Sequence, residues 1–367
     1  MIPCFGVSNV RFAKHLSDIF APKIGLDNFQ FYNSSGGTVE NSAIKSAFLF
    51  QSKACSQLGS PFTARLCRLV AENLPQTGPL WDKVLNWEGD PSPNGDSVPL
   101  RLMGALHGLV VEEISDRLRL VYPPHHSNVS DAELWRVVSQ SIADHTGYIL
   151  GRIESAPQTN EVQRAAVLVP GFMEIASQTG AREFVTSELG ASAGLNLYWD
   201  KYQYQLGDAQ WGVPTNDTRL ELDWKGGQPE FFEVFVRSRA GCDLNPIDIS
   251  KTEFRQKLLS YVWPDQEARL QRSRSAIEFA NSQADLIEKS DAIDWLERRL
   301  QVIHEGAAHV IYHTIAWQYF PENAKQRGEK LITIAGEKAT KEAPLAWLRL
   351  EADGKGDGAG LTLTLWP

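Results

Sequence analysis

Phe184-Val-Thr-Ser-Glu-Leu-Gly-Ala-Ser-Ala-Gly-Leu-Asn196 is an apolar run that ends in an acid and passes through two glycines into an amphipathic segment. The pattern predicts a strand, a tight turn and a helix. Glycine tolerates positive φ and close approach, so Gly190 and Gly194 are expected to bring backbone N–H groups against a small ligand. A helix starting at Leu195 would add its positive dipole end at the same place.

Composition narrows what that ligand is. The 367 residues carry a formal net charge of −9, and the pI is near 5.5. An acidic chain argues against a nucleic-acid backbone or an anionic membrane as the main partner and favours a small molecule. Cys4, Cys55, Cys67 and Cys242 lack C-x-x-C spacing, so neither a structural zinc site nor a disulfide framework is expected. Arg11, Lys14, His15 and Asp18 interrupt the region where a signal peptide needs its apolar stretch, and no run reaches transmembrane length. The expected compartment is the cytoplasm.

The chain divides by pattern. Residues 1–38 lack periodicity and end in Asn33-Ser-Ser-Gly-Gly37, an arm of uncertain order. Residues 39–155 read as an all-helical domain, with apolar residues at three- and four-residue spacing in Ile44, Ala47, Phe48 and in Leu66, Leu69, Val70. From 156 to 367 strands and helices alternate. Helix Glu161–Met173 leads to strand Phe184–Glu188 and helix Leu195–Tyr202; an insertion near 202–229 is rich in aromatics and glycine. Strand Glu233–Val236, helices Lys251–Val262 and Gln266–Ala280, strand Ala284–Ile287, helix Ala292–Leu300, strand His309–His313 and helix Trp317–Ala324 follow. A hairpin of Leu345–Leu350 and Leu361–Leu365, joined through Asp353–Gly358, closes the chain. The expected fold class is α/β: a doubly wound Rossmann sheet behind an N-terminal helical domain.

In such a sheet ligands collect at the carboxyl ends of the strands. The first end offers Glu188, Gly190, Ala191, Ser192, Gly194 and Asn196 to part of a nucleoside. The second offers Asp243 and Leu244, with Asp243 placed to accept ribose hydroxyl protons; Asp223 is its rival. The third offers Asp291 and Ala292 to an adenine amino group, and the fourth offers His313. Each has a purely structural alternative: close packing for the glycines, an Asx turn before Asn245-Pro246 for Asp243, and a helix N-cap for Asp291. Gly190-Ala-Ser192-Ala-Gly194 is also a G-x-S-x-G, the elbow of serine hydrolases, which would make Ser192 a nucleophile. No HGGG-type oxyanion loop precedes it, and the residues before it are helical where that fold needs strands. His309 and His313 flank a strand-like Val-Ile-Tyr, so no metal site is expected.

Glu188-x-Gly190-x-x-x-Gly194 resembles the first motif of S-adenosylmethionine-dependent methyltransferases. The chain also resembles a bacterial family of unknown function grouped with methyltransferase-like Rossmann folds. The residues that carry this are Gly59-Ser-Pro-Phe-Thr-Ala-Arg-Leu66, Gly104-Ala-Leu-His107, Asn160-Glu-Val-Gln-Arg164, Glu188 to Leu197, Asp243-Leu-Asn-Pro-Ile-Asp248 and Trp263-Pro-Asp-Gln266. The resemblance implies S-adenosylmethionine as cofactor and Asn160, Glu161 and Arg164 facing the site. Methyl transfer to an unidentified small molecule is the expected activity, with the helical domain as lid and His313 and Tyr319 as candidates for positioning or deprotonating the acceptor. A non-catalytic ligand-binding or interaction protein on the same fold is the second reading, since His313-Thr-Ile-Ala-Trp-Gln-Tyr319 lacks an Asp/Asn-Pro-Pro-Tyr turn. The hydrolase is the third. Members of the family run beyond the Leu361–Trp366 strand, which leaves the last sheet edge open.

Overall fold

A computed structural model describes residues 8–11, 39–93, 95–283, 286–353 and 359–367. It separates into two compact units. One is helical and comprises residues 39–159 together with 251–271; the other is α/β and comprises 8–11, 160–250 and 272–367.

The helical unit packs Phe48, Leu66, Leu80, Leu102, Leu106 and Leu134 into one core. Helix Pro61–Glu72 starts with proline at its first turn behind the N-cap Ser60. Asp265 accepts hydrogen bonds from Ser60 Oγ at 2.5 Å and Phe62 N at 2.8 Å, and Gln266 Nε2 donates to the Leu58 carbonyl at 3.2 Å. Two of the sequence motifs, at 59–66 and 263–266, are therefore halves of one joint. Gly104 lies under the Tyr261 ring, which a Cβ would meet at 2.6 Å. His107 Nδ1 is hydrogen-bonded to the Ser260 carbonyl at 3.2 Å. Segment 251–271 thus belongs with helices that precede it by a hundred residues and more.

The α/β unit contains strands β1 (Ser8–Arg11), β2 (Glu183–Leu189), β3 (Gln203–Leu206), β4 (Ala209–Trp211), β5 (Arg219–Leu222), β6 (Phe235–Asp243), β7 (Ile287–Lys289), β8 (Ala308–Thr314), β9 (Leu345–Ala352) and β10 (Ala359–Trp366). Seven form a sheet of order β1-β10-β9-β8-β2-β6-β7. β7, β6, β2, β8 and β9 run parallel, while β10 is antiparallel to β9 and to β1. The edge beyond β10 is taken by β1, within the segment read as an arm; the rest of 1–38 lies outside the described residues. The insertion near 202–229 forms a separate sheet of order β4-β3-β5.

Several expectations need correction. The strand placed at Glu233–Val236 is β6 and continues to Asp243, so Asp243 ends a strand instead of following a long loop. Leu195–Lys201 is a kinked 3-10 helix, not an α-helix. The third strand begins at Ile287; Ala284 lies outside the described residues, as does the hairpin turn after Asp353. Trp317–Tyr319 is a single 3-10 turn, and the long helix runs from Glu322 to Gly336.

The 3-10 helix is held by stacking. The Trp199 ring, fully buried, lies 3.7 Å from Phe172 at an interplanar angle of 8°, tying it to helix Arg164–Thr179. Trp199→Ala removes both the area and the stack, and is expected to destabilise the α/β unit by about 3–5 kcal/mol. A urea midpoint equal to that of the parent protein would show that the stack carries no load.

Candidate functional site

The chain runs from β2 to β6 and β7 on one side and returns to β8 and β9 on the other, so the order reverses beside β2. Ligand crevices form at such a point. The turn after β2 contains three residues in left-handed conformation, Gly190 (φ 72°), Ser192 (φ 54°) and Gly194 (φ 72°). Packing also demands the glycines: a Cβ on Gly190 would lie 2.7 Å from Ala316 Cβ, and one on Gly194 would lie 2.8 Å from Ile287 Cδ1.

The turn closes on itself. Gly190 N and Ala191 N both donate to the Cys242 carbonyl, at 2.9 and 3.0 Å, and Gly194 N donates to the Ala191 carbonyl at 2.7 Å. Ser192 N donates to Asp243 Oδ2 at 2.8 Å, and Leu195 N to Asn160 Oδ1 at 3.0 Å. Asp243 Oδ1 accepts from Asn245 N at 2.8 Å, forming the Asx turn. These N–H groups were expected to face a ligand; instead each has a partner within the protein. The helix dipole expected behind them is absent too, because the seven-residue 3-10 segment breaks at Tyr198.

Beneath the turn lies a buried polar cluster. Strand register sets Glu188 opposite Tyr312, and Tyr312 Oη lies 3.2 Å from both Glu188 Oε2 and the Asn196 carbonyl. One phenolic proton cannot serve two acceptors. A protonated Glu188 resolves the count: it donates to Tyr312, which donates to Asn196. Burial lifts the Glu188 carboxyl to about 8, with Tyr312 and Arg164 pulling it down and Asp243 pushing it up. Arg164 Nη1 donates to the Thr314 carbonyl at 2.9 Å, Asn196 Nδ2 to the Glu161 carbonyl at 3.4 Å, and Gln163 N to Glu161 Oε1 at 3.0 Å. Asn196 Oδ1 and Ser192 Oγ are buried without a hydrogen-bond partner among the described residues.

The structure therefore brings Asn160, Glu161, Arg164, Glu188 and Asn196 into one cluster under the turn of Gly190, Ala191, Ser192 and Gly194, with Asp243 as its clamp. Other candidates lie apart. Asp291 caps helix Ala292–Arg299 by accepting from Ile293 N and Asp294 N, and Ala292 is that helix's first residue. Leu244 and Tyr319 are exposed. His313 follows Tyr312 and by strand alternation faces the other side of the sheet. There it stacks on Trp317, donates from Nδ1 to Glu351 Oε1 at 2.6 Å and accepts at Nε2 from Trp347 Nε1 at 3.2 Å. Burial would raise Glu351, but the bonds from His313 and from the Ala316 and Trp317 amides outweigh it and hold the carboxyl below its usual range. Asp223 is paired with Lys225 at 3.3 Å.

A cleft of about 140 Å³ flanks the turn. Ala193, Gly194, Leu197 and the Tyr198 ring form one wall, Ile247 to Ser250 a second, and Ala280, Asn281, Gln283, Leu286 and Ile287 the remainder. Sequence reading assigned only the first wall to a site; Ile247 and Asp248 lie in the quoted 243–248 stretch and Leu286 and Ile287 in an expected strand, but Ile249, Ser250, Ala280, Asn281 and Gln283 belong to no motif. Among the described residues no three His, Cys, Asp or Glu side chains converge as a metal site. No helix among them is long and apolar enough to cross a membrane.

Residues 45–367 match the family described as an uncharacterized protein conserved in bacteria, DUF2332. The chain belongs to that family. Searches of curated proteins and of solved structures return no match.

The buried carboxyl makes stability pH-dependent in a definite direction. An unfolded glutamate titrates near 4.3, whereas Glu188 in the fold titrates at about 8. Its contribution is full below the unfolded value and is lost as pH rises through the folded one, with a slope of up to about 1.4 kcal/mol per pH unit. Glu188→Gln keeps the shape and the donor to Tyr312 but cannot ionise. Its melting temperature is expected to exceed that of the parent protein near pH 9, about one unit above the folded value, and to converge on it as pH falls to about 4.3, the unfolded value. Parallel melting curves across that range would exclude a protonated Glu188.

Proposed function

We propose that the α/β unit binds a nucleoside-type small molecule beside the glycine turn, with S-adenosylmethionine or its demethylated product as the candidate. The observation that carries this is the cleft itself: apolar walls of Ile247, Ile249, Leu286 and Ile287, a tyrosine ring, and Asp248, Asn281 and Gln283 on its lining. Such a slot suits a flat heterocycle bearing a polar sugar. At about 140 Å³ it is smaller than the roughly 300–1,000 Å³ of whole-ligand sites, so it would seat the nucleoside part and leave the remainder outside. The doubly wound order around β2 and the closing antiparallel β9–β10 pair support the methyltransferase-like reading of the fold. Asp243 keeps further lone pairs after serving Ser192 and Asn245, so a role toward ribose is compatible with its clamp.

A second reading, binding without transfer, is favoured by His313. Both its ring nitrogens are engaged and it faces away from Glu188, so it does not serve as a base toward a substrate at the turn. The hydrolase reading gains no support, because among the described residues Ser192 Oγ has no hydrogen-bond partner and so no histidine there to activate it.

Calorimetry with S-adenosylmethionine and S-adenosylhomocysteine tests the proposal. Saturable binding is expected, and Asn281→Trp, which fills the cleft from an exposed position, is expected to weaken it by at least about tenfold. Absence of binding at millimolar ligand would refute the proposal, and unchanged affinity in the variant would move the ligand out of the cleft.

A further inference from the structure

The sheet face opposite Glu188 carries a half-buried arginine, Arg299, with which no carboxylate pairs among the described residues. Ser187 points there by strand alternation. Its hydroxyl accepts from Arg299 Nε at 3.1 Å and lies 3.0 Å from His309 Nε2. The hydroxyl therefore bridges the guanidinium and the His309 ring. The His304 ring meets His309 edge-on, with centroids 5.0 Å apart. Arg299 ends its helix with its guanidinium carbon 5.4 Å from the Trp295 ring centre. Arg299 Nη2 and His304 Nε2 are both shut off from solvent, and neither has a hydrogen-bond partner among the described residues.

The surrounding charges sharpen the point. Arg237, on β6, adds a second guanidinium, and Glu183 of β2 is held by it at 2.7 Å. Among the described residues no carboxylate pairs with Arg299. Burial lowers His304, and Arg299 and Arg237 lower it further. Burial likewise lowers His309, to about 3, with His304 and Arg299 adding to it. An arginine stays protonated under such pressure, and a half-buried guanidinium is costly without an anion. The carbonyls at the end of its helix offset only a small part of that cost.

We propose that Arg299 and His304 form a binding site for a phosphate-type oxyanion at the amino ends of β6 and β8. Arg299 Nη2 and, with its proton on that nitrogen, His304 Nε2 are the two donors, and neither has another partner among the described residues. The exposed Val302 and Ile303 precede His304, a surface on which the organic part of a phosphate monoester can rest.

The test is calorimetry at constant ionic strength at roughly pH 5, below the range in which an ordinary histidine takes up a proton, because burial, Arg299 and Arg237 hold His304 below its usual value; inorganic phosphate and phenyl phosphate are the probes. Saturable binding of phosphate is expected, with a Kd raised at least about tenfold in Arg299→Gln and in His304→Gln. Tighter binding of phenyl phosphate would identify the ligand as a monoester; equal binding would identify free phosphate. Failure of the parent protein to bind either probe would overturn the proposal, as would a variant that binds as tightly as the parent. Should Arg299→Gln not fold, His304→Gln alone decides, since it lies in a connecting segment outside the core.

Discussion

The carboxylate of Asp243 is the constraint on which the candidate site depends. One oxygen takes the Ser192 amide and the other takes the Asn245 amide, so the turn after β2 and the loop after β6 are fixed to each other. A carboxylate accepting from backbone N–H groups makes stronger bonds than a neutral acceptor does. That bond also holds Ser192 in a left-handed conformation that a residue with a side chain adopts only at a cost. The loop so fixed supplies Ile247 to Ser250, and with Ala193 and Gly194 it forms two walls of the cleft. The glycine turn is therefore a closed element beside the cleft, not an open cradle of donors.

The sheet separates two chemistries by alternation. One face, through Glu188 and Tyr312, holds a protonated carboxyl among the Asn160 to Arg164 residues. The other, through Ser187, His309 and His313, holds imidazoles kept neutral or bound to Glu351. A single-residue step along β2 or β8 moves between them, which is why neighbouring residues with similar promise, Tyr312 and His313, end in unrelated surroundings.

Much of the fold was legible. The buried parallel strands β2, β8 and β9 each carry a short apolar core, Phe184-Val, Val310-Ile-Tyr and Leu345-Ala-Trp-Leu, that marks them as strands, and the Asp291 cap announced its helix. β6 was only half legible, because Arg237 and Arg239 break its apolar pattern; their partners, Glu183 and Asp200, are remote in sequence. Over seven residues the spacings of 3-10 and α-helices do not diverge enough to tell Leu195–Lys201 apart. The Asn160, Glu161 and Arg164 cluster was indicated by family resemblance, not by any local pattern. The cleft was illegible, since Ile247, Asn281 and Ile287 come together only through tertiary structure. The return of 251–271 to the helical unit escaped for the same reason.

A crystal structure with S-adenosylhomocysteine tests the central claim most directly. The account predicts the nucleoside against Gly194, Ile247, Asp248 and Ile287, with the amides of Gly190, Ala191 and Ser192 still bonded to Cys242 and Asp243. A ligand hydrogen-bonded to those three amides, with Asp243 swung away, would contradict it.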